Sequence, residues 1–142
     1  MLAYFDSSAF VKLLVEEDGS DLAAAIWDGC DAAVSSRLAY PEVRAALAAA
    51  GRAGRVAADD LRTAESVWER FWASTYAVEL TEPVSRRAGQ LTAELALGGA
   101  DAVHLASALA LGSDDLVVVA WDRRLADGVR AAGLSLAPAG PG

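Results

Sequence analysis

The chain opens with the stretch that decides its fold, MLAYFDSS at residues 1–8. The apolar run up to Phe5 indicates a short buried strand, and Asp6 ends it where a helical pattern begins. The arrangement recurs near the other end, where LVVVAW at residues 116–121 runs directly into Asp122. Two acids at equivalent strand ends favour a site that holds a cation.

Composition indicates a folded globular protein. The 142 residues are 54% hydrophobic and 23% charged, which fits a single domain with a substantial core. No apolar run approaches the roughly 18 residues needed to span a bilayer, and the N-terminus lacks the pattern of a signal peptide. Cys30 is the only cysteine, which excludes an intramolecular disulfide and a multi-cysteine zinc site. We therefore expect a cytoplasmic protein.

The charge balance is acidic, with 20 acidic against 12 basic residues and a net charge of −8. Taken alone, this argues against sequence-independent binding to nucleic acid, which depends on neutralising phosphates. It does not exclude such binding, because arginines gathered on one face, bound metal or a basic partner would offset the acidity. Surface acids that keep the protein soluble explain most of the charge.

Strand and helix patterns alternate along the chain, which predicts βαβ units and a mostly parallel sheet. Further strands are expected at 32–35, 76–80 and 134–136. Helices are expected at about 20–28, 37–50 with Gly51 as its stop, 58–75, 84–95 with Gly98-Gly99 as its end, from Asp101 onwards, and up to Ala132. The sequence thus predicts one domain over 1–137 and a flexible end at 138–142.

Four acids are expected at one edge of this sheet. Asp6 and Asp122 follow their strands at the carboxyl edge, where ligands bind in open α/β sheets. The helix opened by Asp101 leads into the 116–121 strand, so it begins on the same edge. Glu42 lies little more than one turn into the helix after the second strand. Glu82 and Asp127 also fall near this edge, so the pattern selects a neighbourhood rather than a unique quartet.

Converging carboxylates need either protons or a cation, because like charges a few ångströms apart repel. Oxygen ligands without histidine or thiolate neighbours favour Mg²⁺ or Mn²⁺ over zinc. Such a metal can activate water for attack on a phosphodiester. The simpler interpretation makes Asp6 and Asp101 helix caps and Asp122 a turn residue. It is the better interpretation for each acid alone, whereas the set on one edge favours a site.

Four motifs together resemble PIN-domain proteins, and within that family VapC-type toxins. They are FDSSAFVK at 5–12, YPEVR at 40–44, ADAVHLA at 100–106 and DRRL at 122–125. The resemblance covers nearly the whole chain, and the motifs occur in the family's order. Any one of them would be weak evidence, but the combination is specific.

The resemblance implies a three-layer α/β/α sandwich and a Mg²⁺- or Mn²⁺-dependent endoribonuclease that cleaves RNA phosphodiesters as the toxin of a toxin–antitoxin pair. Asp6, Glu42, Asp101 and Asp122 match the family's acidic quartet, with Asp6 and Asp101 as first choices for direct metal ligands. The family also implies a VapB-like antitoxin partner and a toxin homodimer. One departure is Ala120, where many relatives carry a Thr or Ser hydroxyl.

Two other functional classes remain open from the sequence. A phosphoacceptor domain would use Asp6, but Ser7-Ser8 follow it where a second acid is expected, and the only lysine is Lys12. A non-catalytic binding module with the same fold would be expected to have lost acids from the quartet. His104, one turn after Asp101, is interpreted as a structural histidine that orients its helix start, and Ser7 or Ser8 as the cap of the first helix.

Overall fold

The computed structural model describes residues 1–139 and contains a five-stranded sheet in which every neighbouring pair is parallel. The strands, in chain order, are β1 (Leu2–Phe5), β2 (Ala32–Ser36), β3 (Thr75–Val78), β4 (Leu116–Val119) and β5 (Ser135–Ala137). Across the sheet they lie in the order β3-β2-β1-β4-β5. The mostly parallel sheet predicted from the alternating pattern is confirmed.

Helices connect these strands. Those of the described residues are α1 (Ser7–Leu14), α2 (Ser20–Gly29), α3 (Ala39–Arg52), α4 (Ala58–Ala73), α5 (Glu82–Leu95), α6 (Gly99–Ala110) and α7 (Arg123–Ala131). Within residues 1–139, every helix is too short or too polar to cross a membrane.

The central strand β1 is the topological switch point of the sheet. β2 and β3 extend from one side of it, and β4 and β5 from the other. Its register pairs Tyr4 with Val34 on β2 and Phe5 with Val119 on β4. Crevices at the carboxyl ends of strands that flank a switch point are the usual ligand sites of open α/β sheets. The turns after β1 and β4 therefore border the position where a site is expected.

Helices cover both faces of the sheet, so the molecule has three layers. Successive side chains of a strand point to opposite faces; on β1, Phe5 joins a cluster with Phe10, Leu47 and Trp68, whereas Tyr4 joins a second cluster that includes Leu105. The first cluster packs α1, α3 and α4 against the sheet, and the second packs α5, α6 and α7. This arrangement confirms the three-layer α/β/α expectation.

Several element boundaries differ from the predictions. The helix expected at 37–50 runs from 39 to 52, so Gly51 lies inside it and does not stop it. α5 ends at Leu95 because Ala96 adopts a left-handed conformation with φ 54°, and Gly98 is the N-cap of α6 instead of the end of α5. A glycine pair between two helices is compatible with either role, so the pattern alone misassigned it.

The C-terminal end of the predicted domain is only partly described. β5 reaches Ala137, one residue beyond the expected 134–136 strand, and pairs with β4 through Val119. The flexible end predicted at 138–142 includes residues 140–142, which lie outside the described residues.

Candidate active site

The four acids singled out in the sequence all lie at the carboxyl edge of the sheet. Asp6 directly follows β1, and Asp122 follows β4 after two intervening residues. Glu42 and Asp101 lie in the first turns of α3 and α6. Three of the acids lie where a helix follows its strand, namely α1 after β1, α3 after β2 and α7 after β4, whereas Asp101 begins α6, which precedes β4. The four acids are distant in the sequence, and the folded topology brings them to one edge.

Asp6 is the most buried of the four, with 4% of its surface exposed. Its Oδ1 caps α1 by accepting from the Ala9 N–H at 2.9 Å, and the Ser8 hydroxyl lies 2.7 and 2.9 Å from its two oxygens. Burial raises the pKa of Asp6 to about 6, although the bonds from Ser8 and Ala9 and the charge of nearby His104 oppose the shift. The cap expected from Ser7 or Ser8 is therefore Asp6 itself.

Glu42 is held by two donors through a single oxygen. Its Oε1 lies 2.6 Å from Nε2 of His104 and 3.2 Å from the Ser7 hydroxyl. The other ring nitrogen of His104, Nδ1, lies 2.8 Å from the Tyr4 hydroxyl. His104 and Tyr4 are both buried, whereas the Glu42 side chain is 27% exposed. The three side chains form a connected polar path from the β1 strand to the rim of the site.

Asp101 differs from Asp6 in lacking partners. Among residues 1–139, its carboxylate accepts no hydrogen bond from a side chain or cap and is in no ion pair. Partial burial raises its pKa, and the neighbouring charges of Asp122 and Glu42 raise it further, against the opposing charges of His104 and Arg124. Asp101 is not a helix cap, because Gly98 has that position in α6. Its carboxylate is therefore free to bind a ligand.

Asp122 is the exposed member of the set. Its Oδ1 accepts from the Leu125 N–H at 2.9 Å and caps α7. Asp6 and Asp122 can each cap a helix and still serve as a ligand, because the backbone N–H of the cap bonds to only one of the two carboxylate oxygens. Ala120, at the position of the missing hydroxyl, is buried and its N–H bonds to the Ala137 carbonyl.

The chemistry of these donors fits a hard divalent cation. Oxygen atoms predominate, two of the four carboxyl groups have raised pKa values, and in the described part of the chain no lysine or arginine forms a salt bridge with any of the four. As the side chains of residues 1–139 stand, no group of three His, Cys, Asp or Glu residues is arranged to hold a metal ion. Simultaneous ligation would therefore require some of the carboxylates, in particular that of Asp101, which has no hydrogen-bond partner among the residues that the structure describes, to turn towards those of Asp6 and Glu42.

The other acids near this edge are engaged in exposed ion pairs. Glu82 pairs with Arg86 at 2.8 Å on α5, and Asp127 pairs with Arg130 at 2.9 Å on α7. Neither contributes to the raised pKa of Asp6 or Asp101 among the causes given above. They serve as natural controls for the quartet.

Lys12, the only lysine of the chain, forms no salt bridge with the four acids of the site among the described residues. Its ammonium bonds to Glu17 and to the Asp18 carbonyl at 3.1 and 2.7 Å, and lies over the Trp121 ring. A phosphoacceptor aspartate would need a cation beside the phosphate, and Lys12 is committed elsewhere. This arrangement disfavours the phosphoacceptor interpretation.

Tyr4 is the site residue that the sequence analysis missed, and His104 has a different role from the one expected. The sequence predicts a structural histidine that orients the start of its own helix, whereas in the structure the two ring nitrogens of His104 contact Tyr4 and Glu42. The sequence does carry a signal. A tyrosine inside a buried strand needs a partner for its hydroxyl, and His104 is the only histidine of the chain.

Comparison with known proteins gives consistent results. The PIN domain family model matches residues 3–129. Ribonuclease VapC45 and Ribonuclease VapC49, from the CDC 1551 and H37Rv strains of Mycobacterium tuberculosis, are each 64% identical to this chain over 138 residues, which is 97% of this chain and 96% of theirs.

Solved structures of low sequence identity share the fold. FitAcB from Neisseria gonorrhoeae has a TM-score of 0.69 at 16% identity, covering 94% of this chain and 95% of that one. VapBC2 from Rickettsia felis, bound to a DNA fragment from their promoter, has a TM-score of 0.67 at 13% identity, covering 96% and 97%. Mycobacterium tuberculosis VapC20, a Sarcin-Ricin loop cleaving toxin, has a TM-score of 0.66 at 17% identity, covering 93% and 95%.

Proposed function

The chain belongs to the PIN domain family, and we infer that it is a toxin ribonuclease of the VapC type. We propose further that its cleavage of RNA depends on Mg²⁺ or Mn²⁺ held by Asp6, Glu42, Asp101 and Asp122. The observation that carries the proposal is the gathering of these carboxylates at one sheet edge with no salt bridge to a lysine or arginine among the described residues. Burial and mutual repulsion there raise the pKa of Asp6 and Asp101.

Asp6 and Asp101 are proposed as the direct ligands. Asp6 is buried and held in one orientation by the Ser8 and Ala9 bonds, which fixes its position before any ion arrives. Asp101 has a free carboxylate a short distance into α6. Glu42 and Asp122 complete the set from the two sides, each with one oxygen already occupied by a protein donor. A bound divalent cation supplies activation of water and neutralises negative charge on the phosphate.

The residues of the chain itself set the charge and the orientation of the site. At pH above about 6 Asp6 loses its proton, and the four acids then form a strongly negative edge that repels RNA phosphates. The same negative edge attracts a divalent cation. A divalent cation held by these acids would offset their repulsion of RNA phosphates, so cation binding and RNA binding are expected to be coupled.

Arg123 and Arg124 are proposed as contacts to RNA phosphates. Both are exposed in the first turn of α7, next to Asp122, and neither forms an ion pair with a residue in the range 1–139. Arg124 is close enough to Asp101 to counteract the rise of its pKa. A positive pair beside the acidic edge would draw the substrate backbone towards the site despite the overall charge of −8.

The proposed partner is a VapB-like antitoxin, and the proposed assembly of the toxin is a homodimer. The antitoxin is supported by the 64% identical VapC relatives and by the fold shared with VapBC2, whereas the homodimer rests on the family resemblance alone. Expression of the chain alone should arrest bacterial growth, and co-expression of the cognate antitoxin should restore it. Light scattering of the purified toxin should give the mass of two chains; the mass of one chain would contradict the dimer.

The test of the proposed function is cleavage of total bacterial RNA by the purified protein. Discrete products are expected with Mg²⁺ or Mn²⁺, and none with EDTA. Restoration of cleavage when the metal is added back in excess would separate loss of the ion from damage to the protein. Equal cleavage in EDTA would contradict the metal dependence, and absence of products under every condition would contradict the ribonuclease activity.

A further inference from the structure

The path from Tyr4 through His104 to Glu42 joins a buried strand to the acidic edge. Tyr4 is fully buried on β1, and its ring meets that of His104 edge-on, with centroids 5.9 Å apart and planes at 83°. Glu42 is 62 positions from His104 in the chain and lies 2.6 Å from its Nε2; Tyr4 is 100 positions away and lies 2.8 Å from its Nδ1. Burying a polar side chain costs free energy unless it is hydrogen-bonded, and a buried network in which every member has its partners holds those side chains in one orientation.

The hydrogen positions on His104 follow from its neighbours. A carboxylate only accepts hydrogen bonds, so Nε2, at 2.6 Å from Glu42, must carry a hydrogen. A neutral ring with its hydrogen on Nδ1 would place two lone pairs against each other at that distance. The buried Tyr4 hydroxyl lies 2.8 Å from Nδ1 and can pair with it in either form of the ring, donating to Nδ1 of a neutral imidazole or accepting from Nδ1 of a protonated one.

Both donors to Glu42 use the same oxygen. Oε1 accepts from His104 and from the Ser7 hydroxyl, whereas Oε2 accepts no hydrogen bond from a residue within 1–139. A carboxylate fixed through one oxygen has lost the freedom to rotate, and its other oxygen remains available. Metal-binding carboxylates are commonly held by outer hydrogen bonds of this kind, which tune affinity as well as orientation.

We propose that Tyr4 and His104 are positioning residues that hold Glu42 through Oε1 and leave Oε2 as the oxygen that binds the divalent cation. This rests on the proposed function, in which Glu42 is a metal ligand. His104 touches neither the cation nor the RNA and acts through Glu42 alone. Tyr4 fixes the plane of the imidazole through Nδ1. Its effect on cation binding is smaller than that of His104, because it reaches Glu42 only through His104.

The test measures binding of Mn²⁺ alone to the metal-free full chain by calorimetry. His104→Leu removes the donor while keeping an apolar side chain in the core, and should weaken Mn²⁺ binding about 10- to 100-fold. His104→Gln keeps an N–H donor for Glu42, so its loss of Mn²⁺ affinity should be smaller than that of His104→Leu. Tyr4→Phe keeps the aromatic ring and removes only the hydroxyl, so its loss of Mn²⁺ affinity should also be smaller than that of His104→Leu.

A double-mutant cycle distinguishes positioning from a general packing role. In a Glu42→Ala background, His104→Leu should weaken Mn²⁺ binding no further, because the oxygen that it positions is gone. An additive loss, or Mn²⁺ binding by His104→Leu equal to that of the parent, would overturn the proposal. Urea unfolding of each variant shows whether it is folded, and Tyr4→Phe provides a second route if His104→Leu does not fold.

Failure of the underlying function has a different signature. If Glu42→Ala binds Mn²⁺ as the parent does, the ligand role of Glu42 is wrong and both proposals fall together. If Glu42→Ala loses binding but His104→Leu adds to that loss, only the positioning role is wrong. Nitrogen NMR of the single His104 ring gives an independent check. The Nε2 hydrogen should be protected from exchange in the parent and exposed in Glu42→Ala, whereas protection unchanged by the substitution would contradict the contact.

Discussion

Ser8 places its hydroxyl within hydrogen-bond distance of both carboxylate oxygens of Asp6, at 2.7 and 2.9 Å. Donor and acceptor lie two positions apart in the chain, so the contact is a local property of the turn between β1 and α1. It favours the ionised form of Asp6, and the Ala9 N–H adds to it. Burial acts in the opposite direction and is the larger effect, which leaves the pKa of Asp6 at about 6.

Removing this hydroxyl should make Asp6 a weaker acid. In Ser8→Ala the ionised carboxylate loses a charge-assisted hydrogen bond, which corresponds to a rise of the Asp6 pKa by about one unit. The acid limb of the pH dependence of kcat/KM for RNA cleavage should move to higher pH by about that amount. Ser85→Ala, an exposed substitution on α5, should leave the profile unchanged. An unmoved acid limb in Ser8→Ala would show that Asp6 does not limit activity at low pH.

Asp6 should also destabilise the metal-free fold at neutral pH. Because its folded pKa of about 6 lies above the 3.8 of an unperturbed aspartate, the folded state binds the proton more tightly than the unfolded state does. The resulting stabilisation is present below the lower value and is lost as pH rises through about 6. At pH 8 the ionised carboxylate therefore costs about 3 kcal/mol as an upper limit.

Asp6→Asn removes this cost and keeps the helix cap, because asparagine is an equally good N-cap residue. In EDTA at pH 8, the free energy of unfolding in urea should be greater for Asp6→Asn than for the parent, and the gap should narrow at pH 5. The same gap at both pH values would show that ionisation of Asp6 is not its source. Asp122→Asn exchanges an exposed cap of the same kind and controls for the replacement of an aspartate cap by asparagine.

Much of this site could be predicted from the sequence, for a physical reason. Asp6 and Asp122 follow apolar strands that end abruptly, and parallel strands share one carboxyl edge, so their positions follow from local pattern and topology. The contact between Tyr4 and His104 could not be predicted in this way, because it depends on how α6 rotates against β1. Local pattern likewise misassigned Gly98 to the end of α5, because nothing in the sequence marks Ala96 for the left-handed conformation that ends this helix.

The arginines at the start of α7 should contribute to RNA binding through charge. Arg123→Gln combined with Arg124→Gln should raise KM for RNA with little change in kcat, and should flatten the dependence of log KM on log salt concentration, because fewer counterions are released on binding. Arg62→Gln is the matched control, since Arg62 is exposed on α4 and pairs there with Asp59. Equal salt slopes for the double variant and the parent would exclude phosphate contacts by this pair.

The proposed role of Asp101 as a ligand of a catalytic divalent cation is tested by comparing two Asp→Asn substitutions, each of which replaces one carboxylate oxygen by an amide nitrogen. Purified Asp101→Asn and Asp127→Asn are assayed beside the parent for cleavage of bacterial RNA under single-turnover conditions over a range of Mn²⁺ concentrations. Asp101→Asn should lose at least about 100-fold in rate, because loss of a direct ligand should cost no less than the roughly 10- to 100-fold typical when an outer partner of a metal ligand is mutated. Asp127→Asn, whose acid pairs with Arg130, should match the parent. Cleavage by Asp101→Asn at the parent's rate, or an equal loss in both variants, would contradict the account.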